Sequence, residues 1–159
     1  MSNFEKNLEQ ALNNAKRLTD KILIDGKLIS AQTNNKIPVL NPSTGDNIGS
    51  APQCDKNDVN IAVESAYKAF QKWKKIPARE RGKMVAAGAK RLEERKSEIE
   101  TLLSLDTGNA LRTQAIPETA ASIELTNMFA GLSGEIKGEN YPPNILNTLH
   151  YTTRDPIGV

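Results

Sequence analysis

The chain has 159 residues, with 21 basic and 19 acidic side chains and a net charge of +2, too balanced for a nucleic-acid binder, which needs a basic stripe. Its hydrophobic fraction of 38% and aromatic fraction of 4% exclude neither a single domain nor a partnered one, but they limit any core to Leu, Ile, Val and Ala. A domain of this length ordinarily buries roughly 70% of its unfolded surface; the alternative is that part of the apolar surface expects a partner.

Phe4, Leu8, Leu12, Ala15 and Leu18 recur at three- and four-residue steps, which predicts an amphipathic helix over residues 3–19. Glu5, Glu9 and Asp20 interrupt any apolar leader there, and no stretch is long enough to span a bilayer, so the expected setting is cytoplasmic.

Two short β-prone runs, Ile22–Ile24 and Lys27–Ile29, flank Asp25-Gly26, a strong hairpin signal. A strand from Lys36 to Leu40 enters the turn Asn41-Pro42-Ser43-Thr44-Gly45, and Ile48–Pro52 forms a further extended piece. Residues 22–52 thus read as a small β-meander.

Asp58 is placed to cap the next helix. Its expected apolar face is Val59, Ala62, Val63, Ala66, Phe70 and Trp73, and the cluster Lys72–Lys75 suits a helix C-terminus. After Pro77 a second helix carries the stripe Met84, Val85, Leu92, Ile99, Leu102 and Leu103, and ends before Asp106-Thr107-Gly108. A third runs from Arg112 to Leu132, with Pro117 tolerated in its first turn and Ala121, Leu125, Met128 and Leu132 as its stripe. Leu146–Thr153 alternates as an outlying strand with no evident neighbour, and Ile157-Gly158-Val159 reads as the entry to a buried strand.

The residues alone assemble no active site. There is no Gly-rich phosphate motif, no nucleophile elbow and no histidine pair. Cys54 rules out an internal disulfide and fits a reducing compartment. It lies in Pro52-Gln53-Cys54-Asp55, not in the electropositive setting a nucleophilic thiolate needs. His150, the only histidine, cannot build a metal cluster without a second.

Several segments, in order, carry a resemblance: ILIDGK at 22–27, VLNPSTGDNIGSAP at 39–52 and DVNIAVESAYKAFQKW at 58–73. Ala78-Arg79-Glu80-Arg81, LLSLDTGN at 102–109, FAGLSGEIKGE at 129–139 and YTTRDPIGV at 151–159 continue it. Together they resemble the N-terminal portion of the NAD(P)-dependent aldehyde dehydrogenase superfamily, closest in flavour to its betaine-aldehyde enzymes.

The resemblance implies an incomplete α/β fold of that type. It comprises the meander, three long helices and a projecting oligomerisation strand, with the Rossmann-like sheet mostly missing. It divides the chain into an N-terminal helix (1–21), part of the cofactor-binding domain (22–138), oligomerisation-arm strands (139–154) and the start of the cofactor-binding core (155–159). The implied activity is that of an oxidoreductase. A cysteine thiolate attacks an aldehyde, hydride passes to NAD or NADP, and a glutamate activates the water that releases the acid. Those groups, and a Pro-Trp-Asn-type oxyanion motif, fall beyond Val159 in the family pattern, so no residue here is assigned a catalytic or cofactor-binding role. The chain alone is therefore expected to be inactive and to bind NAD(P) poorly. Its expected partners are the remainder of the subunit and, through the arm, further copies. The alternative is a non-catalytic module that pairs with full-length subunits.

The resemblance also implies one metal site. A monovalent cation, K+ or Na+, would be held by the carbonyls of Val39 and Leu40 and by the carboxylate of Glu118, where the family usually has Asp. An all-oxygen donor set suits such a hard ion. Asn109 stands where the family often has Lys.

Overall fold

The computed structural model describes residues 3–159, apart from the side chain of Phe4. Met1, Ser2 and the expected apolar contact of Phe4 lie outside the described part. The first helix, α1 (Asn3–Leu18), forms where the periodicity places it. Its most deeply buried position is Ala11, fully enclosed, with Leu8, Leu12 and Ala15 half-buried beside it.

Two antiparallel hairpins follow. β1 (Lys21–Ile24) pairs with β2 (Lys27–Ser30) through Asp25 and Gly26, with φ of 52° and 70°. Two successive positive φ values make the tight turn whose twist suits a hairpin. β3 (Lys36–Leu40) pairs with β4 (Asn47–Pro52), aligning Val39 with Gly49. The meander expected over 22–52 is therefore two separate two-stranded sheets. Asp20 links them. Its backbone N–H donates to the Ser50 carbonyl at 3.0 Å, and its carboxylate accepts from Ser50 Oγ at 2.6 Å and from the Lys36 ammonium.

α2 (Lys56–Trp73) starts three residues earlier than a cap at Asp58 requires. Asp55 is the cap, accepting from the N–H groups of Asn57 at 2.8 Å and Asp58 at 3.0 Å. Asp58 closes a capping box by accepting from the Asp55 N–H at 3.2 Å, and its other oxygen accepts from the Gln32 N–H at 3.1 Å. Its carboxylate is buried because it joins the loop after β2 to the helix start.

The long second helix is two. α3 (Ala78–Glu94) ends at Arg95, whose φ of −112° and ψ of 14° break the helix before α4 (Lys96–Thr107). The Arg95 guanidinium then turns onto Glu98 in the first turn of α4, with Nε to Oε2 at 2.9 Å. α4 carries α1 on one side and meets α3 and α5 on the other. A π-helical turn, Leu111–Ala115, leads into α5 (Ile116–Leu132), which packs most extensively on α3. Gly82 permits that crossing. A Cβ there would lie 2.2 Å from Ser133 Oγ and 2.5 Å from the Ala130 carbonyl oxygen.

α5 corrects one expectation. Its buried side chains are Thr119, Ile123 and Ala130, while Leu125, Met128 and Leu132 are exposed. Its polar residues Glu118, Ser122, Glu124, Thr126 and Asn127 are spread around the helix, so periodicity could not select its inner face. Met84 of α3 and Val59, Val63 and Trp73 of α2 are likewise exposed.

The last elements are β5 (Asn140–Tyr141) and β6 (His150–Tyr151), a two-residue antiparallel ladder. The terminal strand thus has a partner within the chain, but it is far shorter than 146–153, and both of its strands are exposed.

Ala11, Ile48, Ala89, Ala115, Ile123 and Ala130 are the buried apolar residues among those described, and no large side chain is fully enclosed. The accessible surface is 11841 Å². A compact chain of 17.4 kDa exposes about 7,900 Å². The burial expected of a self-sufficient domain is not reached, and the exposed apolar side chains lie on α2 and α5, on the two N-terminal hairpins and along the segment after α5. Among the described residues no helix is long and apolar enough to cross a membrane.

Candidate functional site

Val39 and Leu40 lie at the end of β3, where the pairing with β4 slips out of register between them. Leu40 is half-exposed. The slip delivers the chain into a closed turn. The Asn41 N–H donates to the Asp46 carbonyl at 2.8 Å, the Gly45 N–H to the Asn41 carbonyl at 2.8 Å, and the Ser43 N–H to Asn41 Oδ1 at 2.9 Å.

Pro42 in this turn abuts Gly108, the left-handed residue (φ 75°) that ends α4. The next residue, Asn109, points its side-chain amide at Glu118, with Nδ2 at 3.4 Å from Oε1 and 3.5 Å from Oε2. Ser104 Oγ fixes the same segment by donating to the Asn109 carbonyl at 2.7 Å. The end of β3, the end of α4 and the start of α5 therefore meet at one corner.

The side chains around that corner face two different clefts. Val39 lines a cleft of about 390 Å³ with Leu18, Ile48, Ile99, Leu103 and Asp106. Glu118 lines another, of about 330 Å³, with Leu92, Thr119, Ser122 and Ile123. Ile99 and Leu103 of α4 contribute to both and stand between them. Val39, Leu40 and Glu118 are drawn to neighbouring places, but their side chains do not share a cleft. Glu118 has no ion-pair partner among the described residues, its recorded side-chain contacts being the two long ones from Asn109.

Thr119 escaped the sequence reading. It is 4% exposed, and its hydroxyl has no hydrogen-bond partner. Helical hydroxyls usually donate to the carbonyl four residues back, as Ser122 does to Glu118 at 2.8 Å and Thr126 to Ser122 at 2.7 Å. Nothing in the sequence marks Thr119 as the exception.

Cys54 is exposed, and its thiol meets only the Pro52 carbonyl, at 3.9 Å. Among the described residues no acid–base partner accompanies it. No group of three or more His, Cys, Asp or Glu side chains that could hold a metal occurs among the described residues. Any cation at the corner would rely mainly on carbonyl and hydroxyl oxygens, with Glu118 and Asp106 the carboxylates that line the two clefts.

The comparisons with known proteins are concordant. The model of the aldehyde dehydrogenase family matches residues 28–159. The chain is 37% identical over 140 residues to aldehyde dehydrogenase tropH of Talaromyces stipitatus, covering 87% of this chain and 27% of that protein. It is 34% identical over 145 residues to a mitochondrial benzaldehyde dehydrogenase of Antirrhinum majus, covering 88% and 26%. Among solved structures, betaine aldehyde dehydrogenase from Staphylococcus aureus in complex with NAD+ superposes with a TM-score of 0.82 at 27% identity, over 90% of this chain and 29% of that one. PnpE in complex with nicotinamide adenine dinucleotide superposes with a TM-score of 0.82 at 30% identity, over 87% and 28%. The chain thus spans between a quarter and a third of the length of these proteins.

Proposed function

Because this chain belongs to the aldehyde dehydrogenase family, we propose that it is the N-terminal scaffold of a subunit that oxidises an aldehyde to a carboxylic acid with NAD or NADP. The observation that carries this reading is the match over residues 28–159 combined with coverage of 27% of a relative's length. The residues described here supply no nucleophile paired with a base, so the chemistry belongs to the rest of such a subunit. Bound there, NAD(P) accepts the hydride removed from the substrate. This chain's part is to build one side of the cofactor-binding domain and to hold it against its neighbours.

Physical features support that division. The bare faces of α2 and α5 fit the packing of further elements of the same subunit. Residues 22–138 belong to the cofactor-binding domain on this reading, with 1–21 as an appended helix and 155–159 as the next strand's entry. Residues 139–154, whose β5–β6 hairpin is exposed throughout, serve as the oligomerisation arm. The same exposed hairpin favours a second reading, in which the chain pairs with complete subunits without catalysing anything itself. The single cysteine suits a reducing, cytoplasmic setting.

The corner between β3 and α5 is proposed to hold a monovalent cation, K+ or Na+, on the Val39 and Leu40 carbonyls and the Glu118 carboxylate. The all-oxygen donors, the unpaired charge of Glu118 and the contact of Pro42 with Gly108 support it. The ion would brace the hairpin against the two helices and take no part in the redox step.

The scaffold reading is tested by assaying the purified 159-residue chain for aldehyde-dependent NADH formation at saturating NAD+. No activity above the buffer rate is expected. A sustained, protein-dependent rise in absorbance overturns the reading.

A further inference from the structure

Asp25 and Gly26 form the tip of the β1–β2 hairpin, and Asp-Gly occurs once in the chain. Both residues are exposed. The Asp25 carboxyl takes part in no ion pair among the described residues, and Lys68, which lines the same cleft, is held by Glu64 at 3.2 Å. The Gly26 N–H lies outside the ladder, whose last pair is Ile24 with Lys27. A Cβ at Gly26 would meet nothing within 4 Å, so the turn stands clear of its neighbours. A carboxyl group and an unhindered backbone nitrogen are thus adjacent in the chain, with no partner holding either. The hairpin gives them freedom to meet. It is a two-stranded sheet on its own, and every residue of β2 is exposed. Isolated hairpins of this kind are marginal and open at low cost. The side-chain tie between the strands, from Lys21 Nζ to Ser30 Oγ at 3.0 Å, is at the end away from the turn.

We propose that Asp25 is a site of spontaneous isomerisation to isoaspartate, with the Gly26 nitrogen as nucleophile. In the first step the nitrogen attacks Cγ of the Asp25 carboxylic acid. The C–N bond forms, the C–OH bond breaks, and the hydroxyl leaves with the amide proton as water, giving a cyclic succinimide. Water then adds back. Addition at Cγ restores Asp25. Addition at the α-carbonyl carbon breaks its bond to the Gly26 nitrogen and leaves the chain running through Cβ and Cγ. Nothing is oxidised or reduced, and the mass is unchanged. Glycine makes the nitrogen approachable because it carries no Cβ. Asp46-Asn47 and Asp106-Thr107 set a side chain there, and Pro156 after Asp155 has no N–H at all. The β-linkage adds one backbone atom to the turn and releases the α-carboxylate, so the pairing of Ile24 with Lys27 is lost. Ile24 shares a cleft with Ile61 of α2, and the change loosens the hairpin from that helix. The site is independent of the scaffold and cation readings.

The test ages the purified full chain near neutral pH and body temperature. Isoaspartate is located by peptide mapping with an endoproteinase that cuts before Asp but not before isoaspartate, and is quantified by an isoaspartyl methyltransferase. It is expected to accumulate at Asp25 ahead of Asp46 and Asp106. Its rate should lie within about tenfold of that in a free peptide of residues 20–31, because the hairpin opens at low cost. Asp25→Asn keeps a residue that accepts left-handed backbone and loses ammonia where Asp25 loses water. That variant should pass through the same succinimide and gain the mass difference between amide and acid, while Asp25→Ser should form no isoaspartate at the turn. Isoaspartate at Asp25 no more abundant than at Asp46 or Asp106 overturns the proposal. So does a rate more than about tenfold below the peptide's, which would mean that the folded hairpin protects the bond, or an Asp25→Asn variant that keeps its mass.

Discussion

Pro42 and Gly108 lie in direct contact across the β3–β4 turn and the end of α4: a Cβ added at Gly108 would fall 2.7 Å from Pro42 Cγ. Gly108 also has a φ of 75°, which a side chain resists. Both constraints act on one residue, and through it the turn after Leu40 is seated beside Asn109 and Glu118. Gly108→Ala is expected to destabilise the chain by about 1–3 kcal/mol, combining left-handed strain with the clash. Urea denaturation measures this, and an unchanged midpoint would show that the turn does not depend on the contact.

Glu98 links three segments. The Arg95 guanidinium holds its carboxyl below the usual glutamate range, with smaller help from Asn14 and Arg17 of α1. A folded-state value below the unfolded one means the contribution is present above the unfolded value, about pH 4.3. It is lost as pH falls through the lower folded value. The chain should therefore lose stability on acidification below about pH 4.3, and Glu98→Gln should flatten that part of the profile. Thermal melts from pH 7 downwards provide the check. A variant with the parental acid slope would assign the dependence to other carboxylates.

The two faces of α5 respond differently to substitution. Ile123 is 6% exposed, whereas Leu125 is 49% exposed. Truncating a buried Ile to Ala typically costs about 2–5 kcal/mol, while a surface change stays within about 0.5 kcal/mol. Ile123→Ala should lower the denaturation midpoint sharply, and Leu125→Lys should leave it in place and improve solubility. Equal effects from both would mean that the exposed face is already covered in solution.

Local features were legible wherever neighbouring residues determine them. Asp25-Gly26 specified a hairpin because only a few residues accept two positive φ values in succession, and α1 followed from its strong apolar spacing. Asp58 was misplaced by one helical turn for an instructive reason. Asp55 and Asp58 each accept a backbone N–H, and sequence shows two candidates without saying which sits outside the helix. The inner face of α5 was unreadable, since its polar residues are spread around the helix and leave no period. The break at Arg95 was also hidden, because Arg and its neighbours are good helix formers and no local signal marks a stop. At the candidate site, Val39, Leu40 and Glu118 came from family resemblance, which also marked Asn109 as a departure without giving it a contact, whereas the Asn109–Glu118 approach and the unpaired Thr119 emerged only from positions in space.

An interior furnished mainly by alanine has a calorimetric consequence. Heat capacity rises on unfolding because apolar groups become hydrated, and 159 residues ordinarily give about 2 kcal/mol/K. Here much of that hydration is already present in the folded state, since Leu125, Phe129, Ile145 and Leu146 meet water throughout. The step between the folded and unfolded baselines should be well short of the ordinary value, leaving a shallow stability curve that changes little over tens of degrees. Covering those faces would deepen the curve.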